Sequence, residues 1–140
     1  MLYRPEEYSF DTEPRSIGSF TSVLVDDLNL EIDEVGRILA IWGMCPHTRW
    51  MTAPLVPPKA EAGEVFFVPD GPLSRGVSIR LHRGTYLPVF VDNESGWVRI
   101  QGEGTSALSV EPLIGAIFEI TKEGQLCSLW LKVYPKRTGI

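Results

Sequence analysis

Apolar and polar residues alternate along Val77–His82, with Val77, Ile79 and Leu81 on one side and Ser78, Arg80 and His82 on the other. A period of two is the signature of a strand with one buried face. Short runs rich in Val, Ile, Leu, Phe and Trp predict further strands at Phe20–Val25, Leu28–Ile32, Gly36–Trp42, Glu64–Val68, Leu87–Val91, Trp97–Gln101, Ala116–Thr121 and Leu126–Tyr134. Thirteen glycines and eleven prolines fall largely between these runs and punctuate them as turns. Asp92–Gly96 reads as a hairpin loop. Pro88 has no N–H to give a ladder and marks its strand as an edge or a bulge. Helical signals are confined to single turns at Thr48–Leu55 and Val110–Gly115.

The chain therefore reads as mainly β, or α+β with minor helix. The expected architecture is an antiparallel sheet of hairpins, barrel- or sandwich-like, in a single domain spanning residues 1–140. Residues 1–18 read as a flexible or loosely packed N-terminal arm. Residues 52–59, with Pro54, Pro57 and Pro58, read as a semi-rigid Pro-rich connector.

One stretch is echoed. Glu31–Trp42 aligns without gaps on Glu119–Trp130, 88 residues further on, with Glu, Ile, Gly and Trp coinciding. Each copy reads as an apolar strand, a polar turn with a glycine free to take positive φ, and a second apolar strand ending in Trp. A duplicated substructure and a mere repetition of hairpin chemistry both fit this pattern.

Composition narrows the class. At 140 residues, 44% hydrophobic and 22% charged, the chain matches an average soluble globular domain and excludes a disordered tail or a coiled coil. No apolar run approaches the roughly 18 residues of a membrane helix. A net charge of −5 disfavours direct nucleic-acid binding. Residues 1–16 lack the basic start and apolar stretch of a secretory signal, so a cytoplasmic location is expected, with Cys45 and Cys127 as reduced, buried thiols.

Candidate chemistry is sparse. His47 and His82 would form an acid/base pair only if they converged with Arg80 or Arg83. Cys45-Pro46-His47 lacks the paired spacing of a zinc site, and no metal or cofactor is expected. Gly102–Ser106 carries no lysine and reads as a loop. No catalytic residue is assigned. Trp97 shares a strand face with Arg99 and Gln101, and Trp130 shares one with Lys132 and Tyr134. Such tryptophans serve either as interface anchors or as packing for a second layer.

Charge layout is the strongest signal. Residues 1–34 hold nine acids and two bases, net −7, whereas residues 35–140 hold nine acids and eleven bases, net +2. A localised field of this kind steers a basic partner. In size, acidity, cytosolic character and lack of a catalytic motif, the chain resembles the small acidic immunity proteins of bacterial contact-dependent inhibition and polymorphic toxin systems. That resemblance implies a partner, the C-terminal toxin domain of the cognate system, often a nuclease with a basic cleft. Asp26, Asp27, Asp33 and Glu34 would then pair with its cations, and Trp97 and Trp130 would be apolar anchors. On this expectation, reversing Asp26 and Asp27 to lysine slows association and leaves thermal stability nearly unchanged. Two other classes remain open: a small-molecule-binding barrel or sandwich with Trp42, Trp97 and Trp130 lining its cavity, and a small enzyme using His47 or His82 with Arg80.

Overall fold

A computed structural model of the chain describes residues 1–12, 18–82 and 84–133. Chain order begins with β1 (Leu2–Arg4), β2 (Ser9–Asp11), β3 (Thr21–Val25), β4 (Leu28–Ile32) and β5 (Ile38–Met44). Three two-residue strands follow: β6 (Met51–Thr52), β7 (Glu61–Ala62) and β8 (Ile79–Arg80). The second half holds β9 (Val89–Val91), β10 (Trp97–Gln101), β11 (Ser106–Leu113), β12 (Ala116–Thr121) and β13 (Leu126–Lys132). Among the described residues, helical structure is limited to single 3₁₀ turns at Pro5–Glu7 and His47–Arg49.

The strands form two mixed sheets, ordered β1-β2-β5-β4-β3-β8 and β6-β9-β10-β13-β12-β11-β7. Both are open, with edges at each end, so the arrangement is sandwich-like and not a closed barrel. Alternate residues of β3 and β4 point inward, and Val23, Val25, Leu28, Leu30 and Ile32 are buried. They share one core with Val98, Ile100, Phe118, Leu129 and Leu131 of the second sheet. The two sheets therefore belong to a single compact domain.

The sequence echo is a structural duplication. Tyr3 pairs with Phe10 as Val91 pairs with Val98, and Phe10 pairs with Gly43 as Val98 pairs with Leu131. Leu30 faces Ile41 as Phe118 faces Leu129, and both hairpins carry a bulge at the same place, before the pairs Ile32–Ile38 and Ile120–Leu126. The Cys45 N–H donates to Tyr8 O and the Val133 N–H to Gly96 O, both at 2.8 Å. Every one of these pairs keeps the spacing of 88 residues. The correspondence extends well beyond one hairpin: residues 1–12 and 18–45 follow the strand plan of residues 89–100 and 106–133. Its main departure is a register shift between Val110 and Leu113 on β11, where β3 runs unbroken.

The segment between the repeats stitches both sheets by parallel pairing, which an all-antiparallel expectation did not include. β6 joins β9, β7 joins β11, and β8 joins β3. The Pro-rich connector carries the chain from one edge of the second sheet to the other. From Thr52 to Glu61, nine extended residue steps of about 3.1 Å reach about 28 Å. Six strand spacings of about 4.8 Å need about 29 Å. Prolines suit this span because its backbone has no ladder to feed. Its start is tied down by Asp92, whose carboxylate accepts the Leu55 N–H at 3.0 Å. Amide donation from Leu55 and Glu94 holds that carboxyl below its usual range.

Several expectations need correction. Residues 1–12 are no loose arm: β1 and β2 pair, and Tyr3 and Phe10 sit in the core, Phe10 only 1% exposed. Residues 13–17 of that arm lie outside the described residues. Val110–Gly115 is no helical turn but the end of an eight-residue strand and its turn. The turn near Thr48 is a single 3₁₀ turn that gives way to β6. The strand expected at Glu64–Val68 contracts to one bridge between Phe66 and Arg37. That at Val77–His82 contracts to Ile79–Arg80. Pro88 precedes β9, which is not an edge because β6 lies outside it. Tyr134 lies outside the described residues.

Candidate binding cleft

Asp26 and Asp27 form the two-residue turn between β3 and β4, with Asp26 at φ +52°, a conformation that Asp tolerates better than most residues. Their carboxylates are committed inside the molecule. Asp26 Oδ1 lies 2.9 Å from His82 Nε2, and Oδ2 accepts the Leu87 N–H at 3.1 Å. The Asp26 backbone carbonyl accepts from Arg80 Nη1 at 3.4 Å. Asp27 Oδ2 accepts the Tyr86 hydroxyl at 2.9 Å, and the Arg49 guanidinium lies 4.3 Å over the Tyr86 ring. One turn thus clasps a strap of chain at Arg80, His82, Tyr86 and Leu87.

Asp33 and Glu34 lie at the other end of β4, roughly 17 Å away for five residues at about 3.3 Å each. Asp33 Oδ1 accepts the N–H groups of Val35 and Arg37 at 3.0 Å, and Oδ2 pairs with Arg37 Nε at 3.3 Å. Arg37 also reaches Glu64 at 3.2 Å. Glu34 is exposed. The two acidic pairs therefore do not form one patch, because successive antiparallel turns alternate between the ends of a sheet.

The tryptophans lie outside the cleft described below. Trp130 is only 4% exposed and donates its indole N–H to Glu119 at 2.8 Å, which removes it from the candidate surface anchors. Trp97 is half-buried against it, ring centroids 6.3 Å apart. Arg99 lies over Trp130, and Lys132 lies over Trp97. The covering layer is this neighbouring row of side chains. In the first repeat the equivalent Trp42 makes the same bond, to Glu31 at 3.0 Å, yet is 37% exposed. Trp130→Phe should therefore cost roughly 2 kcal/mol, because it strips a donor from a buried carboxylate. Trp42→Phe should cost less than about 1 kcal/mol, since water can replace the bond. Urea unfolding of the two variants compares them directly.

His47 and His82 have separate partners. His47 Nδ1 lies 3.2 Å from the Tyr3 hydroxyl, which itself donates to Cys45 O, and its ring stacks on Tyr8. His82 faces Asp26. Burial pushes the Cys45 thiol from 9.0 up to about 11, and burial followed by the Glu119 charge raises Cys127. Neither is a ready thiolate nucleophile. Ellman's reagent should therefore label both only after denaturation. Below pH 9 the Cys45 thiol is neutral in the folded and unfolded chain alike. Between 9 and about 11 only the unfolded chain ionises, so this group withdraws stability as pH rises.

The inner faces of the two sheets do not meet along their whole length. Between them opens a cleft of about 1250 Å³. Its floor is apolar and buried, built from Val23 and Leu30 of the first sheet and Ile100, Phe118 and Leu129 of the second. Residues 65–72, with 79–82 and 84–88 of the strap, form its walls. The charged and polar lining groups Asp70, Arg80, Tyr86, Gln101 and Glu103 are exposed and so ring the mouth, with His82 half-buried beside them. A smaller cavity of about 200 Å³, lined by Asp26, Asp27, Cys45 and Arg49, lies on the other side of Tyr86–Pro88. The clasped strap is the partition between the two. Neither cavity has His47, Trp42, Trp97 or Trp130 in its lining.

Sequence reasoning missed the strap and the segment around Phe66 and Val68. A signal was present: two large apolar side chains in a short stretch between Pro and Gly, both now exposed. Among the described residues no three His, Cys, Asp or Glu side chains converge as a metal site, and no helix is long and apolar enough to cross a membrane. The chain matches no protein-family model and no curated protein.

Proposed function

We propose that this chain is a non-catalytic binding protein that takes a small, largely apolar molecule into the cleft between its sheets. The observation that carries this reading is the cleft itself: a buried apolar floor beneath a ring of polar side chains, the usual composition of a ligand site. The two repeats supply the floor and the connecting segment supplies the walls. The clasp at Asp26 and Asp27 holds one wall in place.

The test is a titration of the full chain with N-phenyl-1-naphthylamine, a neutral apolar fluorophore, followed by the same titration of Ile120→Trp, which enlarges a half-buried residue of the cleft lining and so fills the cleft from one side. Saturable binding at one site, lost in a variant that still melts cooperatively, is the expected result. No saturable binding, or equal binding by the filled variant, overturns the reading.

The resemblance to toxin-neutralising immunity proteins supports a second reading, in which a cytoplasmic copy meets a basic toxin domain. Its remaining support is the exposure of Glu6, Glu7 and Glu34 within the net −7 segment. On that reading a pull-down from host lysate retains a stoichiometric basic fragment that elutes only at high salt.

A further inference from the structure

Among the described residues, Asp70, Arg80, His82 and Glu103 are the acidic and basic groups in the cleft lining. The two basic ones are turned toward the Asp26 turn. β8 pairs with β3 through Val23–Ile79 and Leu24–Arg80, so strand alternation sends Ile79 to the cleft side with Val23 and Arg80 to the other face with Leu24. Arg80 Nη1 reaches the Asp26 carbonyl at 3.4 Å, and His82 Nε2 lies 2.9 Å from Asp26 Oδ1. Asp70 and Glu103 differ. Both are exposed, and among the described residues neither carboxylate has a hydrogen bond or an ion pair.

The mouth of the cleft therefore carries uncompensated negative charge above an apolar floor. Two repeat-equivalent pairs, Leu30 with Phe118 and Ile38 with Leu126, belong to that lining, each spaced by 88 residues. An amphiphile with an ammonium head is complementary to both parts. Its hydrocarbon body leaves water as a lysine stem does, while the head stays hydrated at the mouth and avoids the cost of burying a charge. A carboxylate head would meet like charge there.

Resting on the cleft reading above, we propose that the ligand is a cationic amphiphile: its hydrocarbon portion lies on the floor at Leu30, Phe118 and Leu129, and its ammonium head sits at the mouth in the field of Asp70 and Glu103. Apolar burial supplies the affinity. Exposed carboxylates contribute little each, so their part is to select the sign of the head group.

The experiment uses the full chain loaded with N-phenyl-1-naphthylamine and three competitors with the same alkyl chain: decylammonium, decanol and decanoate. Each is titrated at neutral pH against the natural sequence and against the double variant Asp70→Asn with Glu103→Gln. Decylammonium is expected to displace the fluorophore at about threefold lower concentration than decanol, and decanoate at higher concentration than either. The ammonium preference is expected to shrink at high salt and to vanish in the double variant, with fluorophore affinity unchanged. Equal displacement by all three overturns the head-group assignment while the cleft reading stands. So does an ammonium preference that survives in the variant, because it then comes from the overall negative charge. Failure of all three to displace a saturably bound fluorophore also overturns the assignment, whereas no saturable fluorophore binding overturns the cleft reading itself. Both substituted side chains are exposed, so the variant is expected to fold, and a cooperative melt at the parental temperature verifies it.

Discussion

Gly36→Ala should destabilise the protein by roughly 4 kcal/mol, whereas Gly124→Ala, at the equivalent position of the second repeat, should cost only about 1–2 kcal/mol. The two glycines have nearly identical backbones, at φ +89° and +87°. Any L side chain pays the left-handed penalty at both. Their surroundings differ. A Cβ on Gly36 would collide with the Phe67 carbonyl oxygen and lie 3.3 Å from the Phe67 carbonyl carbon, but one on Gly124 would meet nothing within 4 Å. Relief of the clash at Gly36 must move backbone, because Phe67 donates its N–H to Gly36 O at 2.8 Å and Ile38 donates to Val65 O at 2.9 Å. Losing those two bonds and the Phe66–Arg37 bridge adds roughly 1 kcal/mol each. Chemical denaturation of both variants measures the difference. Equal losses would mean that residues 65–67 do not press on the hairpin. The same segment walls the cleft, so Gly36→Ala should also weaken probe binding, and Gly124→Ala should not.

Asp26→Ala should remove roughly 3 kcal/mol, far more than an ordinary surface carboxylate contributes. The carboxylate accepts the Leu87 N–H and faces His82, and the alanine left behind would sit at a φ that disfavours it. Asp26→Asn preserves turn chemistry and should cost about half as much. The matching readout is amide exchange at Leu87, which should accelerate sharply in Asp26→Ala. If its exchange and the unfolding midpoint are both unchanged, the turn does not clasp the strap. The outcome also separates two views of the acidic turn. Surface residues that steer a basic partner would tolerate charge reversal without loss of stability, but half-buried residues bonded in a clasp would not.

The acidic turn shows where reading the chain in one dimension stops. Asp26-Asp27 is legible as a turn because a turn is a local property of four residues. Its partners His82, Tyr86 and Leu87 lie 56 or more residues away and are met only after β8 has docked beside β3. Charge counting sees the acids but not what neutralises them. The tryptophans make the same point. Trp42 and Trp130 occupy equivalent registers, each bonded to a glutamate on the neighbouring strand, and their hairpins share the same Glu, Ile, Gly and Trp spacing. Trp97, Arg99 and Lys132 surround the second, while the matching positions of the first repeat are Ser9, Asp11 and Met44. Exposure follows from those neighbours, which pairing brings from other strands.

By itself, the sequence determined the mainly β class, the bounds of β4, β10 and β12, and that Glu31–Trp42 and Glu119–Trp130 share a hairpin pattern. These rest on period-two patterning and turn glycines within a few residues of one another. Only the tertiary structure decided that Tyr3 and Phe10 are core, that residues 106–113 are a strand, and that the echo is part of a larger duplicated strand plan. β1 and β2 are three residues each and interrupted by charge, so their strand character comes from pairing with β5 and with each other. The cleft belongs to that second group as well. It exists because two open sheets share a core over part of their inner faces while the connecting segment walls the rest, and a gap between surfaces has no sequence of its own.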